Sequence, residues 1–137
     1  MNKKEALLIS LSITLLISIN LFYFTNAKSE IKLEKVTVAR VIDGDTLVLT
    51  DNRTLRLLNI NSPEKDSTLA HYSYDYLKEF EDSQLNIQIT EKDKYNRYLA
   101  RLYSQNKAYL NLDMVKKGFA LKFLVDSSEL RQFKEAE

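Results

Sequence analysis

The stretch from Val41 to Glu64, VIDGDTLVLTDNRTLRLLNINSPE, constrains this chain more than any other part of it. Apolar and polar residues alternate through Thr46, Leu47, Val48 and Leu49, and again from Leu55 and Arg56 to Ile60. A period of two marks half-buried strands, and Asp51-Asn52 between the runs predicts an antiparallel return. Such pairing brings residues far apart in sequence to one end of a sheet. Here it would gather the carboxylates of Asp43, Asp45 and Glu64 with the guanidinium of Arg56. Acids beside an arginine suit metal-assisted attack on a phosphodiester. Asp43-Gly44 taken alone is a hairpin signal, with glycine expected to accept a positive φ.

The N-terminus is of another kind. Lys3 and Lys4 precede an uncharged run from Ala6 to Phe24. A basic start before an apolar run is an export signal. The run exceeds the roughly 7–15 residues of an ordinary signal core and reaches the roughly 17–25 that span a bilayer. Residues 1–27 are therefore a signal peptide cut after Ala27, in Thr25-Asn26-Ala27, or a retained anchor. The two lysines keep that end inside and send the remainder out. The chain has no cysteine, so neither a lipid anchor nor a disulfide is available.

Residues 28–35 form a charged linker, and 36–137 form a single domain. Setting aside Lys3, Lys4 and Glu5 from the 20 basic and 19 acidic residues leaves 18 of each. A general nucleic-acid coat would be basic, so a polyanion must be gripped by a few placed cations.

Along the domain, Val36, Val38 and Val41 open a first strand, and Pro63 is expected to end the third. Leu69, Tyr72, Tyr76, Leu77 and Phe80 share a helical face within residues 67–81, with Ser67 as cap. The single histidine, His71, falls off that face and carries no expected role. Leu85, Ile87 and Ile89 mark a fourth strand, and Leu99, Leu102 and Tyr103 a fifth. Asn111 is expected to cap a short helix that stops at Gly118. After an apolar segment, Phe119 to Val125, Ser127 or Ser128 should cap a terminal helix of about nine residues, below the roughly 12–15 that isolated helices need. Docking through Leu130 and Phe133 must hold it, and low stability or a shortened reading frame is expected. Three strands, a helix and two strands predict a five-stranded Greek-key barrel of the oligonucleotide/oligosaccharide-binding (OB) fold, with C-terminal helices.

Four motifs resemble the staphylococcal nuclease-like (thermonuclease) family. They are Val41-Ile42-Asp43-Gly44-Asp45-Thr46; Arg56-Leu57-Leu58-Asn59-Ile60-Asn61-Ser62-Pro63-Glu64, close to RLLGIDTPE; Asp93-Lys94-Tyr95-Asn96-Arg97-Tyr98-Leu99-Ala100, close to DKYGRxLA; and Val115-Lys116-Lys117-Gly118-Phe119-Ala120, close to VxxGxA. The resemblance implies an OB barrel and a calcium-dependent phosphodiesterase acting on DNA and RNA. It implies Asp45 as a Ca2+ ligand with Asp43 behind it, Asn61 and Ser62 completing the protein ligands, and Glu64 orienting or deprotonating water. Arg56 and Arg97 would flank the scissile phosphate, with Lys94 and Tyr95 on its neighbour. Each role suits its chemistry: calcium takes oxygen ligands, a carboxylate takes the water's proton, and guanidinium forks match phosphate oxygens.

The chain departs from the family at Asn61, an aspartate there, and lower ligand charge weakens calcium binding. Asn96 replaces a glycine but tolerates left-handed geometry. Leu124 and Asp126 stand where nucleotide-binding members carry tyrosines, which leaves Tyr95 as the expected aromatic of the site. The expected protein is an exported or membrane-anchored monomeric nuclease. The alternative is a catalytically weak barrel that binds nucleic acid or a protein partner at the cell surface.

Overall fold

The computed structural model describes residues 1–26 and 32–136, with residues 23–26 described by their helical backbone alone. The expected cleavage position after Ala27 and linker residues 28–31 lie outside the described residues. The chain divides into two compact units, Met1–Ile31 and Lys32–Glu137.

The first unit is one helix, α1 (Lys3–Asn26). By length and composition its segment Lys3–Phe22 is able to cross a membrane, with a mean hydropathy of 2.0. At 1.5 Å per residue its 20 residues span about 30 Å, the thickness of a bilayer's hydrocarbon core. Its polar side chains serve themselves: Ser12 donates to the Ile9 carbonyl at 2.8 Å, Ser18 to Thr14 at 2.8 Å and Asn20 to Leu16 at 2.9 Å. Donors satisfied by their own helix need no water.

The second unit is built on a closed barrel of five strands. These are β1 (Glu34–Asp43), β2 (Thr46–Leu49), β3 (Thr54–Leu57), β5 (Gln84–Lys92) and β6 (Tyr98–Tyr103), in the order β1-β2-β3-β6-β5. The β3–β6 pair is parallel, and every other pair is antiparallel. This is the expected OB plan. Irregularities at Val38/Arg40 and Val41/Asp43 bend β1 so that it pairs with both β2 and β5. The core is filled by Val38, Leu47, Leu49, Leu55, Leu57, Ile87 and Leu102, the apolar members of the alternating runs. Asn52 and Asn96 take the left-handed conformation in the β2–β3 and β5–β6 hairpins, and Lys107 does so in the turn after β6.

The third strand departs from the sequence expectation. It ends at Leu57 rather than running to Pro63, because Asn59 adopts φ 66° and turns the chain off the barrel. The next residues form β4 (Ile60–Asn61), which pairs with β7 (Leu121–Lys122) in a separate two-stranded sheet.

The helices also begin differently from expectation. Between β4 and β5, α2 (Ala70–Lys78) starts three residues after Ser67, whose hydroxyl instead accepts the Leu69 N–H within a turn. Tyr72 lies on its half-exposed side, stacked on Phe119, while Ser73 and Leu77 are buried. Asn111 is not a cap: α3 (Leu110–Lys116) begins one residue earlier, and Asn111 is wholly buried. Its amide donates to the Leu58 and Ala100 carbonyls at 2.9 and 3.0 Å and accepts the Leu102 N–H at 3.0 Å. Gly118, at φ +70°, ends α3 as expected, with Gly118 and Phe119 N–H groups returning to the Val115 and Met114 carbonyls. The last helix, α4 (Leu130–Ala136), starts from Asp126, whose carboxylate accepts from Ser128 and whose carbonyl accepts the Leu130 N–H. Phe133 is fully buried against Tyr109, and Arg101 of β6 holds Glu129 and Asp126.

Candidate active site

The turn between β1 and β2 is pinned at close quarters. A Cβ on Gly44 would lie 2.5 Å from the Ser73 Cβ and 2.7 Å from that of Ser62. Gly44 does not adopt a positive φ; the position needs glycine because the β4 end and α2 press against it. The Asp43 carboxylate accepts the Asp45 N–H at 3.2 Å, which shapes the turn.

Asp45 is 8% exposed and surrounded by donors. The Ser62 N–H and hydroxyl both donate to Oδ2 at 2.8 Å. The Thr46 hydroxyl donates to Oδ1 at 3.1 Å, and Arg56 Nε lies 3.2 Å from the same oxygen. A carboxylate offers about four lone-pair sites, and all are used. Pairing of β2 with β3 sets Thr46 against Arg56, so strand register produces the Asp45–Arg56 contact. Arg56 also donates through Nη1 to the Leu57 carbonyl at 2.6 Å and through Nη2 to Asn61 Oδ1. Burial lowers its pKa, opposed by Asp45 and reinforced by Arg97, yet a guanidinium stays charged.

Arg56 and Asn61 line a groove of about 580 Å³ together with Lys94, Tyr95 and Arg97. Asp93, absent from the sequence-based site, holds Arg97: its carboxylate accepts from Nε at 2.8 Å and lies 2.7 Å from Nη2. It also accepts the Tyr95 and Arg97 N–H groups at 2.9 and 3.0 Å. Burial raises its pKa, but these donors outweigh burial and leave it below the usual carboxylate value. The Asp-x-x-x-Arg spacing across a tight turn was the available signal. Tyr95 is 67% exposed, with Lys94 Nζ 5.0 Å and Arg97 Cζ 5.3 Å from its ring centroid.

Tyr95 is not the only aromatic in the groove, contrary to expectation. Phe123, 46% exposed, lines the same groove with Leu124. Its N–H donates to the Asn59 carbonyl at 2.7 Å, which ties the β7 end to the turn after β3. Leu124 has φ 49°, unusual for a bulky residue.

Of the other expected members, Asp45 and Ser62 adjoin the groove through Arg56 without lining it, and Asp43 and Glu64 do not line it. Asp43 lines a different cleft of about 320 Å³ with Gly44, Lys65 and His71. Glu64 is exposed on the loop after β4, two residues beyond Ser62, and does not line the groove.

The donors suit a hard cation in type: one carboxylate, one amide oxygen and a serine. The Asp45 and Asn61 oxygens both face one positive group, the Arg56 guanidinium, so their surroundings already suit a positive charge. The formal charge they offer is a single negative one. Among the described residues no cluster of three His, Cys, Asp or Glu side chains is placed to hold a metal ion.

A closed OB barrel with a buried carboxylate and two guanidinium groups beside a surface groove is the class of protein that the fold and site define. Comparison with known proteins narrows that class. The family profile described as "Staphylococcal nuclease homologue" matches residues 54–137, and the chain belongs to that family. Asp43 and Asp45 precede the matched residues. Two curated relatives, from Escherichia coli O157:H7 and Escherichia coli, each carry the name "Uncharacterized endonuclease". Each is 33% identical over 87 residues, which is 61% of this chain and 57% of the relative.

Proposed function

We propose that the barrel hydrolyses phosphodiester bonds of DNA and RNA with little sequence preference, in a calcium-dependent reaction outside the cytoplasm. One observation carries this reading: the buried Asp45 sits against Arg56, which shares a groove with Arg97, Lys94 and Tyr95. Asp45, Asn61 and Ser62 would hold the calcium ion, with Asp43 behind Asp45. The bound ion supplies neutralisation of phosphoryl oxygens and a place for the attacking water.

The remaining work falls to side chains. Lys94 attracts the backbone phosphates, and Tyr95 packs against the neighbouring nucleotide. Arg97, braced by Asp93, and Arg56 stabilise the added negative charge of the five-coordinate phosphorus. Glu64, exposed on the loop beyond Ser62 and outside the groove in this structure, would have to reach the attacking water to accept its proton as the new P–O bond forms. The P–O bond to the departing oxygen breaks, and that oxygen takes a proton from solvent. The groove grips backbone rather than base edges, so the choice of sequence is loose.

Release of acid-soluble nucleotides from DNA and RNA, with calcium and with a chelator, tests the reading. Cleavage that persists in chelator would refute the calcium mechanism. The exposed position of Glu64 and the amide at Asn61 favour the second reading, a binding module; binding with no cleavage at any calcium concentration would select it. For location, α1 directs the barrel outward and either remains as an anchor or is removed. Membrane fractionation with protease added from outside distinguishes the two, and a barrel protected on the inner side would overturn both.

A further inference from the structure

We infer that Arg56 and a divalent cation compete for the same two oxygens, so that filling the cation position releases the Arg56 guanidinium to the groove. The inference rests on the calcium reading above and adds a coupling that the reading does not contain. Arg56 Nε is 3.2 Å from Asp45 Oδ1, and Nη2 donates to Asn61 Oδ1. Those are the side-chain oxygens a cation would need. The other donors to Asp45 come from Ser62, on the β4 end beside Gly44, and from its own neighbour Thr46. The Ser62 N–H is fixed by the backbone and the two hydroxyls are neutral, so Arg56 is the one charged donor a cation would have to displace.

A calcium ion and a guanidinium cannot share one carboxylate at contact distance without strong repulsion. The doubly charged ion gains about twice the Coulomb energy from Asp45 that the guanidinium does. The displaced group has a destination: Arg56 already lines the groove with Arg97. There the two guanidiniums would flank a phosphate, whose charge removes the repulsion between them. Asn61 acts as a positioning residue. Its neutral amide holds Arg56 by a hydrogen bond in the absence of the ion and offers the same oxygen to the cation. Cation binding and the delivery of a phosphate-binding arginine thereby become one event.

The test uses the full chain in detergent micelles, with calcium ion alone as the probe and calorimetry as the readout. Removing the competitor in Arg56→Met should tighten calcium binding by about tenfold or more, within the usual range of coupling between linked sites. Arg97→Met removes an equal charge from the same groove without touching Asp45 or Asn61, and should change affinity by less than about threefold. Equal effects of the two substitutions would reduce the matter to groove charge and overturn the inference, as would no effect of Arg56→Met. Wild-type protein alone provides a check independent of variant folding. The Arg56 Nε–H resonance should lose its protection from exchange as calcium saturates, while that of Arg97 stays as it was. An Arg56 signal unchanged at saturation overturns the coupling yet leaves the calcium reading intact. Absence of calcium binding in both wild type and Arg56→Met overturns both.

Discussion

At Asn61 one oxygen is asked to serve a cation and an arginine. Replacing it with aspartate adds a full negative charge that benefits calcium about twice as much as Arg56, because the ion carries twice the charge. Asn61→Asp is therefore expected to lower the calcium requirement for cleavage and raise the rate; a calcium titration of nuclease activity checks this, and an unchanged midpoint would count against it. Phe123 is the other informative position. It is a half-exposed phenylalanine lining the same groove as three cationic side chains, and its face could take an unpaired base. Phe123→Ala should weaken binding of a single-stranded oligonucleotide by about 1–3 kcal/mol, the worth of base stacking on an aromatic ring. Hydrolysis of a small phosphodiester with no base should be unaffected. Neither the hydrogen bond from Arg56 to Asn61 nor the place of Phe123 is written in local sequence, since both depend on β4 leaving the barrel to pair with β7.

Among the elements, the join between β3, β6 and α3 decides whether the groove exists. Asn111 satisfies two carbonyls and one N–H there, at Leu58, Ala100 and Leu102. Its substitution by alanine would strand those groups in the interior at about 1–3 kcal/mol each. Asn111→Ala should lower the thermal midpoint by several degrees or prevent folding, as followed by circular dichroism; a midpoint within a degree of wild type would show that other groups hold the join. The short α4 is secured from outside itself. Phe133 is buried, and Arg101 and Asn59 both donate to Glu129. A helix this short is marginal in isolation, so its order comes from packing on the barrel.

Across the whole molecule, acid should be the weak side. Asp93 and Asp113 have lowered pKa values despite opposing burial, through Arg97 with backbone N–H groups and through Lys117 with Tyr76; Asp126 is lowered first by the Ser128 hydroxyl. For a carboxylate depressed in the folded state, the contributed stability is full above its unfolded value of about 3.9. It is lost as pH falls through the lower folded value. Denaturant midpoints should be level down to about pH 4 and decline below it, and an equal decline between pH 7 and 5 would implicate other groups.

Much of this architecture was legible in the residues themselves. A period of two in the runs around Leu55, Ile87 and Leu102 sets strands, because that spacing puts alternate side chains on one face; β2, with Thr46 to Leu49 all buried, is instead covered on both faces. Gly118 and the asparagines at 52 and 96 mark the reversals through their tolerance of left-handed backbone. The motifs bring the residues of the groove into view, and the uncharged N-terminal run announces a membrane-competent helix. What only the tertiary structure decided was which of these groups meet. Asp45 meets Arg56 because of strand register, Gly44 is required by the nearness of Ser62 and Ser73, Asn111 faces inward, and Glu64 stays outside the groove. Periodicity and propensity are properties of neighbours along the chain. Contacts between residues tens of positions apart are set by how strands close and helices dock, and no local pattern contains them.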